Sequence, residues 1–175
     1  MKKLPIFLSL LAALAGCTDK ADAPAPAPAP QAAAKSADFT QLPAGQRGAL
    51  NNGQYMVIGD VVLSNNGNVG LFMQGDGNVV LYETNAAGTP IRALWSAGTN
   101  GSGGDLLAMQ TDNNLVLYDT DVVPARAVWN TRTAGRGRPN EGTLYVGFNN
   151  STSLILALPG TSALFLYPLL SYPIF

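Results

Sequence analysis

The stretch Gln74–Tyr82, QGDGNVVLY, returns 36 residues later as Gln110–Tyr118, QTDNNLVLY. Gln, Asp, Asn, Val and Tyr stand at alternate positions in both copies, whereas most of the residues between them differ. Alternate residues of an extended chain point to one side. Each copy therefore gathers two amides, a carboxylate, a phenol and a small apolar side chain on one surface. Such a set suits a polyol better than a metal, a phosphate or a nucleotide. The alternative interpretation is a polar outer face with Asp-Gly and Asn turns.

Each copy of this motif belongs to a longer repeat. A tryptophan-containing segment follows each copy, with Trp95 and Trp129 separated by 34 residues. Frequent Asn-Gly, Asp-Gly and Gly-Gly pairs between short apolar runs are typical of β-strands joined by tight turns. One unit is predicted to contain three strands, Val69–Gln74, Asn78–Thr84 and Ile91–Ser96. Three strands cannot cover their own apolar face, so several units are expected to pack around a shared core.

The two tryptophans admit two interpretations. Aliphatic residues flank both Trp95 and Trp129, which favours burial in the shared core. Stacking of the indole rings against a sugar is the alternative.

A third unit is expected in residues 142–158. Its strand pattern persists, but its polar set is different. The residues at the five motif positions are predicted to be Asn149, Ser151, Ser153, Ile155 and Ala157. This unit is therefore expected to support the fold without binding, with Leu154 and Leu156 facing the core.

The C-terminal segment, residues 159–175, is apolar and uncharged. Its three prolines and one glycine argue against a transmembrane helix. We expect it to be buried, either as closing strands of the same chain or in a homodimer formed through this segment.

The N-terminus has the pattern of a bacterial lipoprotein signal. Lys2 and Lys3 precede the short apolar run Ile6–Leu14, and the only cysteine, Cys17, follows Ala-Gly. This pattern resembles a lipobox, which implies removal of residues 1–16 and lipidation of Cys17. Thr18 is compatible with sorting to the outer membrane of a Gram-negative bacterium. An ordinary secretory signal with an incidental cysteine is the alternative.

Residues 17–38 are predicted to be a linker between this anchor and a domain that begins at residue 39. The repeat Ala23–Pro30 alternates Ala and Pro, which favours an extended polyproline II segment. At ~3.1 Å per residue the linker could hold the domain up to ~60 Å from the membrane.

Charge and composition exclude several classes of function. Without Lys2 and Lys3, eight basic residues face eleven acidic ones, a net charge of −3 that does not suit nucleic acid. The chain has no histidine, which argues against a triad hydrolase and a His-ligated zinc site. We therefore predict no enzyme activity, no cofactor and no metal. The cluster Arg126, Arg132, Arg136 and Arg138 fits a solvated loop better than a contact with lipopolysaccharide phosphate.

Together, the paired motifs and their tryptophan segments resemble the bulb-type mannose-binding lectins over about residues 50–158. The resemblance implies an all-β fold, a β-prism II of three antiparallel sheets around a pseudo-threefold axis, with the lectin domain at residues 39–158. The sequence departs from the family in its altered third unit, in the tail after Leu158, which differs from the usual family ending, and in the absence of the disulfide that the plant members have.

The resemblance also implies a role for each motif residue. Asp76 and Asn78 would bind the axial 2-hydroxyl of mannose, Gln74 the 3-hydroxyl and Tyr82 the 4-hydroxyl, while Val80 would pack against the ring. The second copy would repeat these roles with Asp112, Asn114, Gln110, Tyr118 and Val116.

The sequence therefore predicts a lipoprotein with two sites for mannose or mannose-type glycans, acting in adhesion or glycan capture. Two alternatives stay open. One is a lectin-like bacteriocin or self-recognition factor, and the other is a structural envelope lipoprotein that does not bind sugar.

The anchor is testable by substitution of the single thiol. Cys17→Ala should move the full chain from the detergent phase to the aqueous phase in a phase-partition assay, because the acyl chains supply the membrane affinity. Unchanged partitioning would show that lipid on Cys17 is not the anchor.

Overall fold

The described part of the chain consists of thirteen β-strands. The computed structural model describes residues 39–167, so Cys17, the Ala/Pro linker and residues 168–175 lie outside it. The strands are β1 (Thr40–Gln41), β2 (Ala49–Asn51), β3 (Gln54–Val57), β4 (Val61–Leu63), β5 (Val69–Met73), β6 (Val79–Thr84), β7 (Pro90–Ser96), β8 (Leu106–Met109), β9 (Leu115–Asp119), β10 (Arg126–Asn130), β11 (Thr143–Val146), β12 (Leu154–Ala157) and β13 (Leu164–Tyr167). Phe148–Asn150 form a 3-10 turn.

These strands form three sheets that follow the three sequence units. The first has the order β4-β5-β6-β7, the second β1-β3-β8-β9-β10 and the third β2-β11-β12-β13. All pairings are antiparallel except that of β1 with β3. The three-stranded unit predicted at residues 69–96 is confirmed, and its strand bounds differ by one residue at most.

The short strands β2, β3 and β4 connect the sheets. They follow one another along the chain, yet β2 joins the third sheet, β3 the second and β4 the first. Each therefore supplies the fourth strand of a different unit. This arrangement explains why no unit is complete without the N-terminal part of the domain.

Equivalent rows of apolar side chains from the three sheets meet in the core. The paired residues in register are Leu71 with Leu81, Leu107 with Leu117 and Leu144 with Leu156. All six are completely buried. At about 25 cal/mol per Å² of apolar area, this shared interior is the main stabilising contribution to the fold. The β-prism architecture expected from the sequence is thus confirmed.

The tryptophans extend two of these rows. Trp95 pairs with Leu81 and Trp129 with Leu117, so both rings lie on the inward face, opposite to the motif residues. They are half-buried, pack against the core and contact each other edge to face with ring centroids 6.2 Å apart. The core position predicted for them is confirmed, whereas stacking on a sugar at the motif is not compatible with this face. In the third sheet Leu164 takes the equivalent place, opposite Leu156.

The third unit has the scaffold role that its sequence predicts. Leu154 and Leu156 are completely buried in the core, and Ile155 lies on the other face of β12. β13, from the C-terminal segment, pairs with β12 of the same chain. β13 is therefore a closing strand of the same sheet, and the domain continues past residue 158, where its end was predicted. The homodimer through this segment stays a prediction, since residues 168–175 lie outside the described part.

Within residues 39–167, no helix has the length and apolar character needed to cross a membrane.

The inward position of Leu156 predicts a large effect of a charge there. Leu156→Asp should lower the free energy of unfolding by about 3–5 kcal/mol, because the carboxylate would be buried without a partner. Ile91→Asp is the control, since Ile91 is 64% exposed on β7 and should change stability by less than about 1 kcal/mol. Urea unfolding of the two variants measures the difference, and similar midpoints would contradict the proposed core.

Candidate functional site

The two motifs adopt the same turn at the same place in their sheets. In the first copy, the backbone amide of Gln74 donates to the backbone carbonyl of Asn78 at 2.9 Å. The backbone amide of Gly77 donates to the backbone carbonyl of Gln74 at 3.1 Å. In the second copy the same two bonds are both 2.9 Å long, with Asn113 in place of Gly77. Gly77 and Asn113 have φ of 83° and 71°. The turn thus requires the left-handed region, which glycine and asparagine enter most easily.

A hydrogen bond between the amide and the phenol fixes one end of each motif. Gln74 Nε2 donates to the Tyr82 hydroxyl at 3.0 Å, and Gln110 Nε2 donates to the Tyr118 hydroxyl at 2.9 Å. Each bond occupies one amide proton and one phenol lone pair. The amide oxygen can still accept a hydrogen bond and the phenol hydroxyl can still donate one. Two neighbouring hydroxyls of a sugar need one acceptor and one donor of this kind.

The carboxylate and second amide are fixed at the other end. Asp76 Oδ1 accepts from the backbone amide of Asn78 at 3.0 Å, and Asn78 Oδ1 accepts from the Thr99 amide at 3.0 Å and the Ser96 hydroxyl at 3.1 Å. These bonds orient the Asn78 side chain so that its Nδ2 is the group able to donate to a ligand. The second oxygen of Asp76 can accept.

The second copy repeats this arrangement. Asp112 Oδ1 accepts from the Asn114 amide at 2.9 Å, and Asn114 Oδ1 accepts from the Thr133 amide at 3.2 Å and the Thr131 hydroxyl at 3.1 Å. The loop that follows the tryptophan strand therefore positions the asparagine in both copies. The sequence prediction did not include this loop, although Thr99 and Thr133 each stand four residues after a tryptophan.

The apolar member of each motif forms the floor between these two ends. Val80 and Val116 are 3% and 0% exposed. Val80 lies opposite Phe72 in register, and the Phe72 ring contacts Tyr82 edge to face at 5.4 Å. Phe72 is a neighbour of the first site that the motif did not indicate, because it lies on the preceding strand.

The two copies differ in the exposure of the phenol. Tyr82 is partly exposed, whereas Tyr118 is 1% exposed. Leu106 lies opposite Tyr118, where Gly70 lies opposite Tyr82. Tyr118, Val116, Leu106 and Ala108 form a second apolar cluster, against which Phe39, Tyr55 and Ala127 pack. The structure thus brings all five predicted residues together in both copies. In the second copy it covers the phenol end, and Asn114 at the other end is only 2% exposed.

This burial has an electrostatic consequence. Burial raises the pKa of Tyr118 to about 12, because the phenolate would lose its hydration. The hydrogen bond from Gln110 lowers this pKa, and the nearby Asp112 carboxylate raises it. The hydroxyl of Tyr118 is therefore held in its neutral form.

The third unit lacks the site. The backbone amide of Ser153 donates to Ser151 Oγ at 3.2 Å. The backbone amide of Asn78 donates to Asp76 Oδ1 in the same way, so Ser151 and Ser153 correspond to Asp76 and Asn78. The amide of Gly147 donates to the carbonyl of Ser153, so Gly147 takes the position of Gln74. The prediction that Asn149 stands there is wrong, because the 3-10 turn inserts two residues into this turn. Ser151 and Ser153 are buried and bonded to each other at 2.6 Å.

Within residues 39–167, no group of three or more His, Cys, Asp or Glu side chains is placed to hold a metal ion.

Comparison with known proteins gives matches to solved structures only. No family model matches the sequence, and no curated protein matches it. A lectin from Marasmius oreades is 27% identical with a TM-score of 0.55, and the match covers 73% of this chain and 92% of that one. A monomeric monocot mannose-binding lectin from Gastrodia elata is 30% identical with a TM-score of 0.50, covering 66% and 92%. A mannose-specific lectin from Crocus vernus, 20% identical with a TM-score of 0.52 and coverage of 66% and 93%, shares the fold.

The buried phenol of the second copy predicts a loss of stability at high pH. The unfolded chain ionises Tyr118 near pH 10 and the folded chain near pH 12. Stability that is present below pH 10 is therefore lost as the pH rises, by roughly 2 kcal/mol at pH 12. Urea unfolding between pH 9 and pH 12 should show this loss in the wild type and a smaller one in Tyr118→Phe. Parallel pH profiles of the two proteins would contradict the burial of this phenol.

Proposed function

The chain belongs to the bulb-type mannose-binding lectin family, and on that premise we propose that its first motif is an open site for mannose. The observation that carries the proposal is the fixed arrangement of Gln74, Asp76, Asn78 and Tyr82 around a buried Val80, with the phenol partly exposed. The Gastrodia elata relative binds mannose by its description. That name and the residue set of the first motif together support mannose as the ligand of this chain.

The chemistry of the site fits a hexose with an axial 2-hydroxyl. The charged Asp76 would accept a short, strong hydrogen bond from this hydroxyl, and Asn78 Nδ2 would donate to it. At the other end, Gln74 and Tyr82 would bind the 3- and 4-hydroxyls. An epimer with an equatorial 2-hydroxyl would leave the carboxylate and the amide unpaired, which would produce selectivity.

Binding without catalysis is the activity that this surface supports. A shallow sugar site of this kind typically reaches a dissociation constant near the millimolar level, about −4 kcal/mol. Attachment of many copies to one membrane through Cys17 and the linker of residues 17–38 would raise the avidity for polyvalent glycans. We therefore propose a lipid-anchored lectin of the cell envelope, in the outer membrane, that captures mannose-type glycans or adheres to them.

The charge of Asp76 provides the test. Asp76→Asn keeps Oδ1 as the acceptor for the Asn78 amide, so the turn should persist, but it removes the charged acceptor for the sugar. Methyl α-mannoside should bind at least about tenfold more weakly in a calorimetric titration of the full chain.

Asp112→Asn is the matched control in the second motif. Its effect on methyl α-mannoside should be smaller, because the covered Tyr118 offers a neutral sugar fewer contacts there. Wild-type affinity in Asp76→Asn would contradict the first motif as the mannose site.

A further inference from the structure

The loops that follow the two tryptophan strands have the same backbone. Residues 97–104 follow Trp95 and residues 131–138 follow Trp129. Gly101 donates to the carbonyl of Asp76 at 2.7 Å, and Gly135 donates to the carbonyl of Asp112 at 2.8 Å. Both loops have positive φ at their second, fifth and seventh residues. Each position of one loop therefore has a direct counterpart in the other.

The two loops differ in charge at three matched positions. The first loop has Gly98, Ser102 and Gly104, and the second has Arg132, Arg136 and Arg138. All three arginines are exposed, so their charges are not needed to pack this backbone. Arg132 has φ of 57° where Gly98 has 70°. A non-glycine residue is strained in this left-handed region, and such strain is often found at functional positions.

The arginine loop is bonded directly to the second motif. Arg132 lies between Thr131 and Thr133, which both donate to Asn114 Oδ1. Asn113, between Asp112 and Asn114, donates from Nδ2 to the carbonyls of Arg136 and Arg138, at 2.7 Å each. The backbone of the loop that carries the three arginines is therefore attached beside the carboxylate end of the motif.

Nearby acids compensate these cations only in part. The carboxylates of Asp112 and Glu141 are the acidic groups of this region, and Arg138 is 3.9 Å from Glu141 with both side chains largely exposed. Among the described residues, Arg138 is the one of these three arginines that forms an ion pair. Arg126 belongs to the opposite end of the sheet, where it pairs with Asp119 at 2.8 Å.

The second motif therefore has two dissimilar ends. Phe39, Tyr55 and Leu106 make the phenol end apolar and closed, and the arginine loop makes the carboxylate end cationic. In the orientation of the proposed function, the carboxylate end receives the 2-hydroxyl. The substituent on the neighbouring anomeric carbon would then lie beside the arginine loop, whereas the 4- and 6-positions would lie at the apolar end.

We propose that the second motif and its arginine loop bind a mannosyl phosphate, a sugar whose anomeric oxygen carries a phosphate. This assignment rests on the proposed function, which sets the orientation of the sugar. Guanidinium groups suit phosphate because they offer paired, planar donors that keep their charge. The first motif, with its glycine and serine loop, has no such preference.

The test compares four probes on the full chain in detergent, with Asp76→Asn present to silence the first motif. α-Mannose 1-phosphate should bind at least about tenfold more tightly than methyl α-mannoside, mannose 6-phosphate or inorganic phosphate, since it alone places a charge-assisted contact beside the arginines. The preference should shrink as salt is raised, because the arginines are exposed.

The matched variant gives the second loop the residues of the first at these three positions, Arg132→Gly, Arg136→Ser and Arg138→Gly. It should lose the preference for the 1-phosphate. With Asp76 intact, it should bind methyl α-mannoside at the first motif as the wild type does. This variant should fold, because residues 97–104 hold the same backbone with those side chains.

Each contrary result has a distinct meaning. If inorganic phosphate binds as tightly as α-mannose 1-phosphate, the loop is a general anion-binding patch and the proposal is wrong. If mannose 6-phosphate binds as tightly, the proposed orientation of the sugar is wrong, and the proposal fails with it. If the wild type binds methyl α-mannoside and the 1-phosphate has no advantage, the proposal fails and the lectin function stands. Absence of binding by every sugar would refute the lectin function itself.

Discussion

The fold depends on one constraint: each of the three sheets has an apolar face that only the other two can cover. Rows such as Leu71–Leu81–Trp95 and Leu107–Leu117–Trp129 run across the strands and meet in a common interior. A short strand from the N-terminal part of the domain completes every row, since β2, β3 and β4 are divided among the sheets. A change at the centre of one sheet is therefore transmitted to all three, and the units are expected to unfold together.

The same alternation that builds this core also builds the sites. On β6 the buried Leu81 stands between Val80 and Tyr82, so the inward residue that stabilises the sheet also fixes the outward residues that we propose to bind sugar. Hydrogen bonds then orient the polar groups before any ligand arrives: Gln74 to Tyr82, Asn78 to Asp76, and Thr99 to Asn78. A site that is arranged in advance loses less conformational entropy on binding, which matters for a ligand with so few contacts.

Much of this was predictable from the sequence, because the decisive patterns are local. Alternation and turn residues predicted the strands of the first unit and the inward position of Leu154 and Leu156, and the family resemblance that the repeat carries implied three sheets. Contacts between distant segments were not predictable in this way. Phe39 and Tyr55 reach Tyr118 only because β1 and β3 join the second sheet, and no local pattern indicates that pairing. The insertion after Gly147 changed the register of the third unit, so counting residues placed Asn149 wrongly at the glutamine position.

Repetition within one chain explains how the copies could diverge without loss of the fold. The turn between the first two strands of each unit needs a residue that tolerates positive φ, and Gly77 and Asn113 both meet that need. Asn113 adds bonds to the carbonyls of Arg136 and Arg138, so it attaches the second loop more firmly than Gly77 can attach the first. Firm attachment of the loop backbone makes large charged side chains tolerable at positions where the first copy has glycine and serine. The surfaces of the two motifs can therefore differ in charge and exposure while the interior rows that carry stability stay equivalent.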